Sequence, residues 1–102
     1  MFVFAPDPDP KAGRLYSRMF APRHGIAEDR ATGSASGALG AYVVRHRLVA
    51  ARESVRIVSE QGTKMGHQSF VHITLRVTGD RITDIRVGGS VVPVLDGRLT
   101  LD

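Results

Sequence analysis

A chain of 102 residues makes one domain with one core, and 42% hydrophobic with 24% charged residues is an ordinary globular composition, so disordered and fibrous classes are excluded. There is no cysteine, which removes disulfides, thiolate metal sites and thiol chemistry, including racemases that work with paired cysteines. Fourteen basic against ten acidic residues give a net charge of +4, but the arginines are scattered singly from Arg14 to Arg98 among Asp and Glu, the pattern of a solvated surface and not of a nucleic-acid footprint.

The opening Met1-Phe2-Val3-Phe4-Ala5 is apolar and is broken by Asp7-Pro8-Asp9-Pro10. Prolines at 6, 8 and 10 hold that stretch extended and exposed, because each lacks an N–H and disfavours helix before it. The opening has neither a basic leader nor a cleavage pattern. The longest apolar-leaning stretch, Ala31 to Val44, is 14 residues, short of the ~18 a membrane helix needs. A cytoplasmic protein with no membrane contact is the expectation.

Arg14 to Phe20 reads as a strand ending at Pro22, and Ala21 to Ala31 as a loop. The next element is a helix from about Thr32 to Leu48. It carries no charge up to Val44 and contains Gly33, Gly37 and Gly40, each costing ~1 kcal/mol relative to Ala inside a helix. Such a segment is not an amphipathic surface helix. It predicts a central helix that neighbouring backbone approaches closely, with Arg45, His46 and Arg47 at its C-terminal end, where positive charge suits the dipole.

Everything after the helix has strand chemistry. Val55, Ile57 and Val58 form one strand, and Gln61 to Gly66 a loop. Val71, Ile73, Leu75 and Val77 alternate with polar residues in a half-buried strand. Gly79-Asp80 turns into Ile82 to Val87, Gly88-Gly89 into Ser90 to Leu95, and Asp96-Gly97 into Leu99 to Leu101. Three turns between four strands predict an antiparallel meander. The fold class is α+β: a curved, mostly antiparallel sheet of five to seven strands around one helix, with residues 1–102 forming a single domain.

Chemistry gathers just before the helix, in Gly25-Ile26-Ala27-Glu28-Asp29-Arg30-Ala31-Thr32-Gly33-Ser34-Ala35. A helix start offers unpartnered N–H groups and partial positive charge, so a carboxylate or phosphate fits there. Gly33 gives a ligand access, Thr32 and Ser34 add hydroxyls, and Asp29 can exchange a proton or hold an amine or hydroxyl. The spacing alone equally allows Thr32 or Asp29 to be an ordinary helix cap.

Ser17-Arg18-Met19-Phe20-Ala21-Pro22 followed by Gly25 to Leu39 resembles the signature of the phenazine-biosynthesis (PhzF-like) isomerase family, which reads R-x-F-A-P and then G-I-x-E-D-P-A-T-G-S-A. Gln61-Gly62-Thr63-Lys64-Met65-Gly66 is similar to that family's Q-G-x-x-M-G-R element. The resemblance implies one half of a diaminopimelate-epimerase-like fold, in which two sheet-and-helix halves enclose the active site. It implies a proton shift within a small anionic metabolite, with no metal or organic cofactor. Asp29 is then the catalytic residue, and Ser34, Gly33 and Thr32 bind substrate. Arg30 departs from the family's proline, and His67-Gln68 from its Arg-Pro. The resemblance falls in the family's second half, so the glutamate base and assisting histidine it implies lie outside these residues, and His24, His46, His67 and His72 match no such motif. The expected partner is a second copy in a homodimer, or a companion N-terminal half. Asp29 and Ser34 are expected to flank one concave pocket at the helix start.

Overall fold

The computed structural model describes all residues from 1 to 102. Six strands and one helix follow in order: β1 (Phe2–Pro6), β2 (Arg14–Ala21), β3 (Ile26–Asp29), α1 (Gly33–Arg45), β4 (Ser54–Gln61), β5 (Ser69–Thr78) and β6 (Arg81–Gly88). They form one sheet in the order β1-β2-β4-β5-β6, with β3 also paired to β2. Every pairing is antiparallel except β2 with β4. A parallel pair needs a long crossover, and α1 lies in this one. The fold is therefore α+β, a mostly antiparallel sheet around one helix.

The sheet curves about α1. On one side Phe4 of β1 meets Tyr42 edge-on, with ring centroids 5.9 Å apart; on the other, Val87 and Ile85 of β6 close on Gly37. Leu39, Val43 and Val44 of the helix join Leu15, Val55, Ile57, Val71, Ile73 and Leu75 of the sheet in the core. Gly40 explains the low helix propensity of the segment. A methyl group at that position falls 2.6 Å from Ile73 Cγ2, so only glycine lets the helix seat against β5. Alternation along β4 puts Val55, Ile57, Ser59 and Gln61 on the same buried face. The parallel pair is fastened there by Ser17 and Ser59, whose hydroxyls hydrogen-bond at 2.8 Å.

The helix is shorter than the sequence suggests, and its end has a local cause. Arg47 takes a left-handed conformation (φ 58°), its N–H donates to Val44 O, and Leu48 N–H donates to Val43 O. This is the Schellman closure, here with arginine where glycine is usual. Close approach to α1 is confined to its inner face. Ser36, Leu39, Gly40, Val43 and Val44 are buried, while Ser34, Ala38, Tyr42 and Arg45 form an exposed stripe between the two flanks of the sheet.

Three expectations about strands change. The opening apolar residues become edge strand β1, and β3 forms inside the stretch read as a loop. Ser90 to Leu95 and Leu99 to Leu101 are not strands: residues 89–102 carry no regular structure, and Val91 and Leu95 are 86% and 94% exposed. The meander thus contains only β4, β5 and β6. A strand exists only where a neighbour completes its ladder, and β6 is paired solely to β5. No helix is long and apolar enough to cross a membrane.

Two substitutions test this account by urea denaturation. Gly40→Ala lowers stability by about 1–2 kcal/mol, the clash with Ile73 outweighing the gain in helix propensity. Arg47→Gly raises it by ~1 kcal/mol, because glycine carries no side-chain penalty in the left-handed region.

Candidate functional site

β3 delivers Asp29, two residues of loop follow, and Thr32 is the N-cap residue of α1. Thr32 has extended backbone, yet its side chain makes no capping bond to the first helical turn. Its hydroxyl instead donates to Asp29 Oδ2 at 2.6 Å. The capping alternative that the sequence left open for Thr32 is therefore not what its hydroxyl does. Gly33 and Ser34 are exposed at the helix start, and a methyl group at Gly33 meets nothing within 4 Å. That glycine is not required by packing; it keeps the approach to the first turn open.

The cluster is held from below by a residue that the sequence reading placed only in a loop motif. Gln61 ends β4 on its core face and is 0% exposed. Its Nε2 donates to Asp29 O at 3.0 Å and to Thr32 Oγ1 at 2.9 Å, and its Oε1 accepts from Thr32 N–H at 3.1 Å. Ser36, buried one turn into α1, donates its hydroxyl to Thr32 O. Gly62 completes the clamp. It has φ 81°, and any side chain there would run into His67 O and Arg30 O, at 2.3 and 2.8 Å from its first carbon. The available signal was the period-two pattern of β4, which extends beyond Val58 and turns Gln61 inward.

The neighbouring carboxylates are occupied elsewhere. Glu28 accepts a two-pronged bond from Arg18, at 2.9 and 3.0 Å, and Arg18 also lies 4.9 Å over the Phe20 ring. The hydrogen bonds from Arg18 hold the Glu28 carboxyl below its usual range, against some desolvation, while Arg18 is pushed further up by the same bonds. Glu60 is likewise lowered, by hydrogen bonds from Thr63 and Gln68. Asp29 Oδ1 accepts no bond within the chain. None of the four histidines bonds to Asp29, Thr32 or Ser34: His46 stacks on Tyr42 at 4.2 Å, His67 pairs with Ser69, and His24 and His72 are exposed. Arg30 is exposed and forms no ion pair.

A concavity of about 1010 Å³ lies at the other end of α1, among Tyr42, Val44, Arg45, Val77 and Ile82. Asp29, Gly33 and Ser34 do not line it; Gly33 and Ser34 are exposed, and Asp29 is half-buried beside them.

A mostly antiparallel sheet around one helix, with an acidic loop fixed at the helix start, defines this protein as an α+β domain. Residues 1–97 match the family model described as phenazine biosynthesis-like protein. The chain belongs to that family. It is 34% identical over 102 residues to an uncharacterized isomerase of Clostridium acetobutylicum, covering 99% of this chain and 34% of that protein. It is 36% identical over 91 residues to trans-2,3-dihydro-3-hydroxyanthranilate isomerase of Pseudomonas aeruginosa, covering 88% of this chain and 32% of the relative. Against the uncharacterized isomerase YddE of Salmonella typhimurium the identity is 34% over 76 residues, 74% of this chain and 26% of the relative. The chain thus spans about a third of the length of the curated relatives it matches.

The Arg18–Glu28 pair predicts an acid-sensitive contact between β2 and β3. Because the folded carboxyl of Glu28 lies below its ordinary value of 4.5, the pair stabilises the fold fully above that pH and is lost as pH falls through the folded value. The stability difference between the unmodified protein and Glu28→Gln, read from urea curves, should therefore shrink steadily below pH 4.5.

Proposed function

We propose that this domain is the substrate-binding half of a cofactor-independent isomerase that shifts a proton within a small carboxylated metabolite. The observation that carries the reading is the cluster itself: Asp29 is fixed by Thr32 and Gln61, with Oδ1 left unbonded, beside the exposed Gly33 and Ser34 at the start of α1. The relatives' isomerase names support the reaction class. The first-turn N–H groups and the Ser34 hydroxyl hold the anionic group, aided by the helix dipole and the exposed Arg30. Asp29 orients the donor group of the substrate or relays its proton.

By resemblance to the family, the reaction uses a glutamate as acid/base besides Asp29. Glu28 is tied to Arg18, and Glu60 to Thr63 and Gln68, so neither is free to serve. We take the base to come from a second copy or from a companion half resembling the family's N-terminal portion, as the diaminopimelate-epimerase-like arrangement implies. The same observation favours a second reading, in which the domain binds the metabolite without turning it over.

3-Hydroxyanthranilate, the aromatic analogue of the compound named for the Pseudomonas relative, is a suitable probe. Ser34→Ala should weaken its binding by about 1–2 kcal/mol in calorimetry, the scale of one hydrogen bond to a charged group. Asp29→Asn should abolish any solvent deuterium incorporation into a turned-over substrate, followed by NMR. Exchange that survives Asp29→Asn would remove Asp29 from the mechanism. Binding that depends on Ser34, with no exchange in the unmodified protein or in its mixture with an N-terminal half, would leave the binding reading.

A further inference from the structure

Hydrogen-bond polarity in the buried clamp can be assigned without ambiguity. Thr32 N–H is a donor, so the Gln61 atom facing it must be Oε1, and Asp29 O is an acceptor, so the atom facing it must be Nε2. Flipping the amide would set donor against donor at one contact and acceptor against acceptor at the other. With Nε2 so placed, it also donates to Thr32 Oγ1. That bond occupies the threonine oxygen as an acceptor and leaves its single proton directed at Asp29 Oδ2. The order is therefore one-way, from Gln61 through Thr32 to Asp29. Three further features fix its origin: Gln61 is wholly buried, Gly62 is locked against Arg30 O and His67 O, and Ser36 holds the Thr32 carbonyl.

We propose that Gln61 and Thr32 are positioning residues that act through Asp29. Their relay occupies Oδ2 and sets the carboxylate plane, so that Oδ1 is the one acceptor offered to a ligand at the helix start. The relay selects a ligand with an N–H or O–H donor beside its anionic group over a ligand with the anion alone. This rests on the metabolite-site reading above for its ligand, but not for the relay itself.

The test compares 3-hydroxyanthranilate, which carries a carboxylate with adjacent donors, against benzoate, which carries the carboxylate only. Thr32→Val is nearly isosteric and keeps the backbone bond to Gln61 Oε1, so it removes the relay while retaining the clamp. Affinities are read from NMR shift titrations of the full chain. Thr32→Val should lower affinity for 3-hydroxyanthranilate at least five-fold more than affinity for benzoate, and Thr32→Ser should restore the ratio. Gln61→Glu, which cannot donate to Thr32 when ionised, should lower the ratio as Thr32→Val does. A merely structural role would reduce both affinities alike, and an unchanged ratio in Thr32→Val overturns the proposal. If the unmodified protein binds neither probe, the metabolite-site reading fails and the relay is judged on the free protein. Thr32→Val must then move the Asp29 carboxyl carbon resonance, Thr32→Ser must not, and the Gln61 side-chain amide protons must exchange more slowly than those of the exposed Gln68. Failure of these marks overturns the relay as well.

Discussion

The buried carboxamide of Gln61 is the interaction on which the arrangement depends. A polar group with no exposure must find partners inside, and this one finds all three at the end of β3 and the cap of α1. The end of β4 is thereby tied to the start of the helix, so the crossover between the parallel strands β2 and β4 closes on itself. Removing the carboxamide would leave its partners unpaired, at a cost of about 1–3 kcal/mol for each that stays buried. The same bonds that close the crossover also orient Asp29, so fold stability and site geometry share one set of atoms.

Packing of α1 follows from a second constraint. The helix carries no charge before Arg45, and its inner face meets β5 and β6, with Gly40 against Ile73 and Leu75, and Gly37 facing Val87 and Ile85. Its outer stripe of Ser34, Ala38, Tyr42 and Arg45 remains in contact with water. Glycine thus serves close approach at Gly40, whereas at Gly37 a methyl group would make only ordinary contact with Val87 and Ile85, and at Gly33 no neighbour stands. A helix whose small residues serve packing on one face and access at its first turn can hold a ligand group there without losing its seat in the core.

Membership of the phenazine-biosynthesis-like family and the pairing of Glu28 and Glu60 with other side chains both bear on the proposed reaction. The start of α1 exposes Gly33 and Ser34 beside the half-buried Asp29. Its exposed N–H groups and Arg30 favour an anion, and its single unbonded carboxylate oxygen favours a donor next to that anion.

The sequence by itself determined the helix, β2, β4, β5 and β6, because each is set by local pattern: an uncharged small-residue run, period-two alternation, and glycine turns at Gly79 and Gly62. It also marked Asp29, Thr32, Gly33 and Ser34 as one cluster, since four nearly adjacent residues need no tertiary information to be neighbours. Only the tertiary structure decided the rest. β1 and β3 became strands because β2 lay beside them, and Ile26–Asp29 has no alternation that would have announced it. Ser90 to Leu101 has the alternation and the turn residues, yet it forms no strand, because a ladder is a property of two segments and no second segment meets it. Gln61 stood 29 residues from Thr32, and nothing local specifies that a buried amide at the end of β4 will find its partners on the loop before α1. Local pattern fixes which residues prefer to be extended or helical; which of them are joined by hydrogen bonds depends on how the whole chain closes.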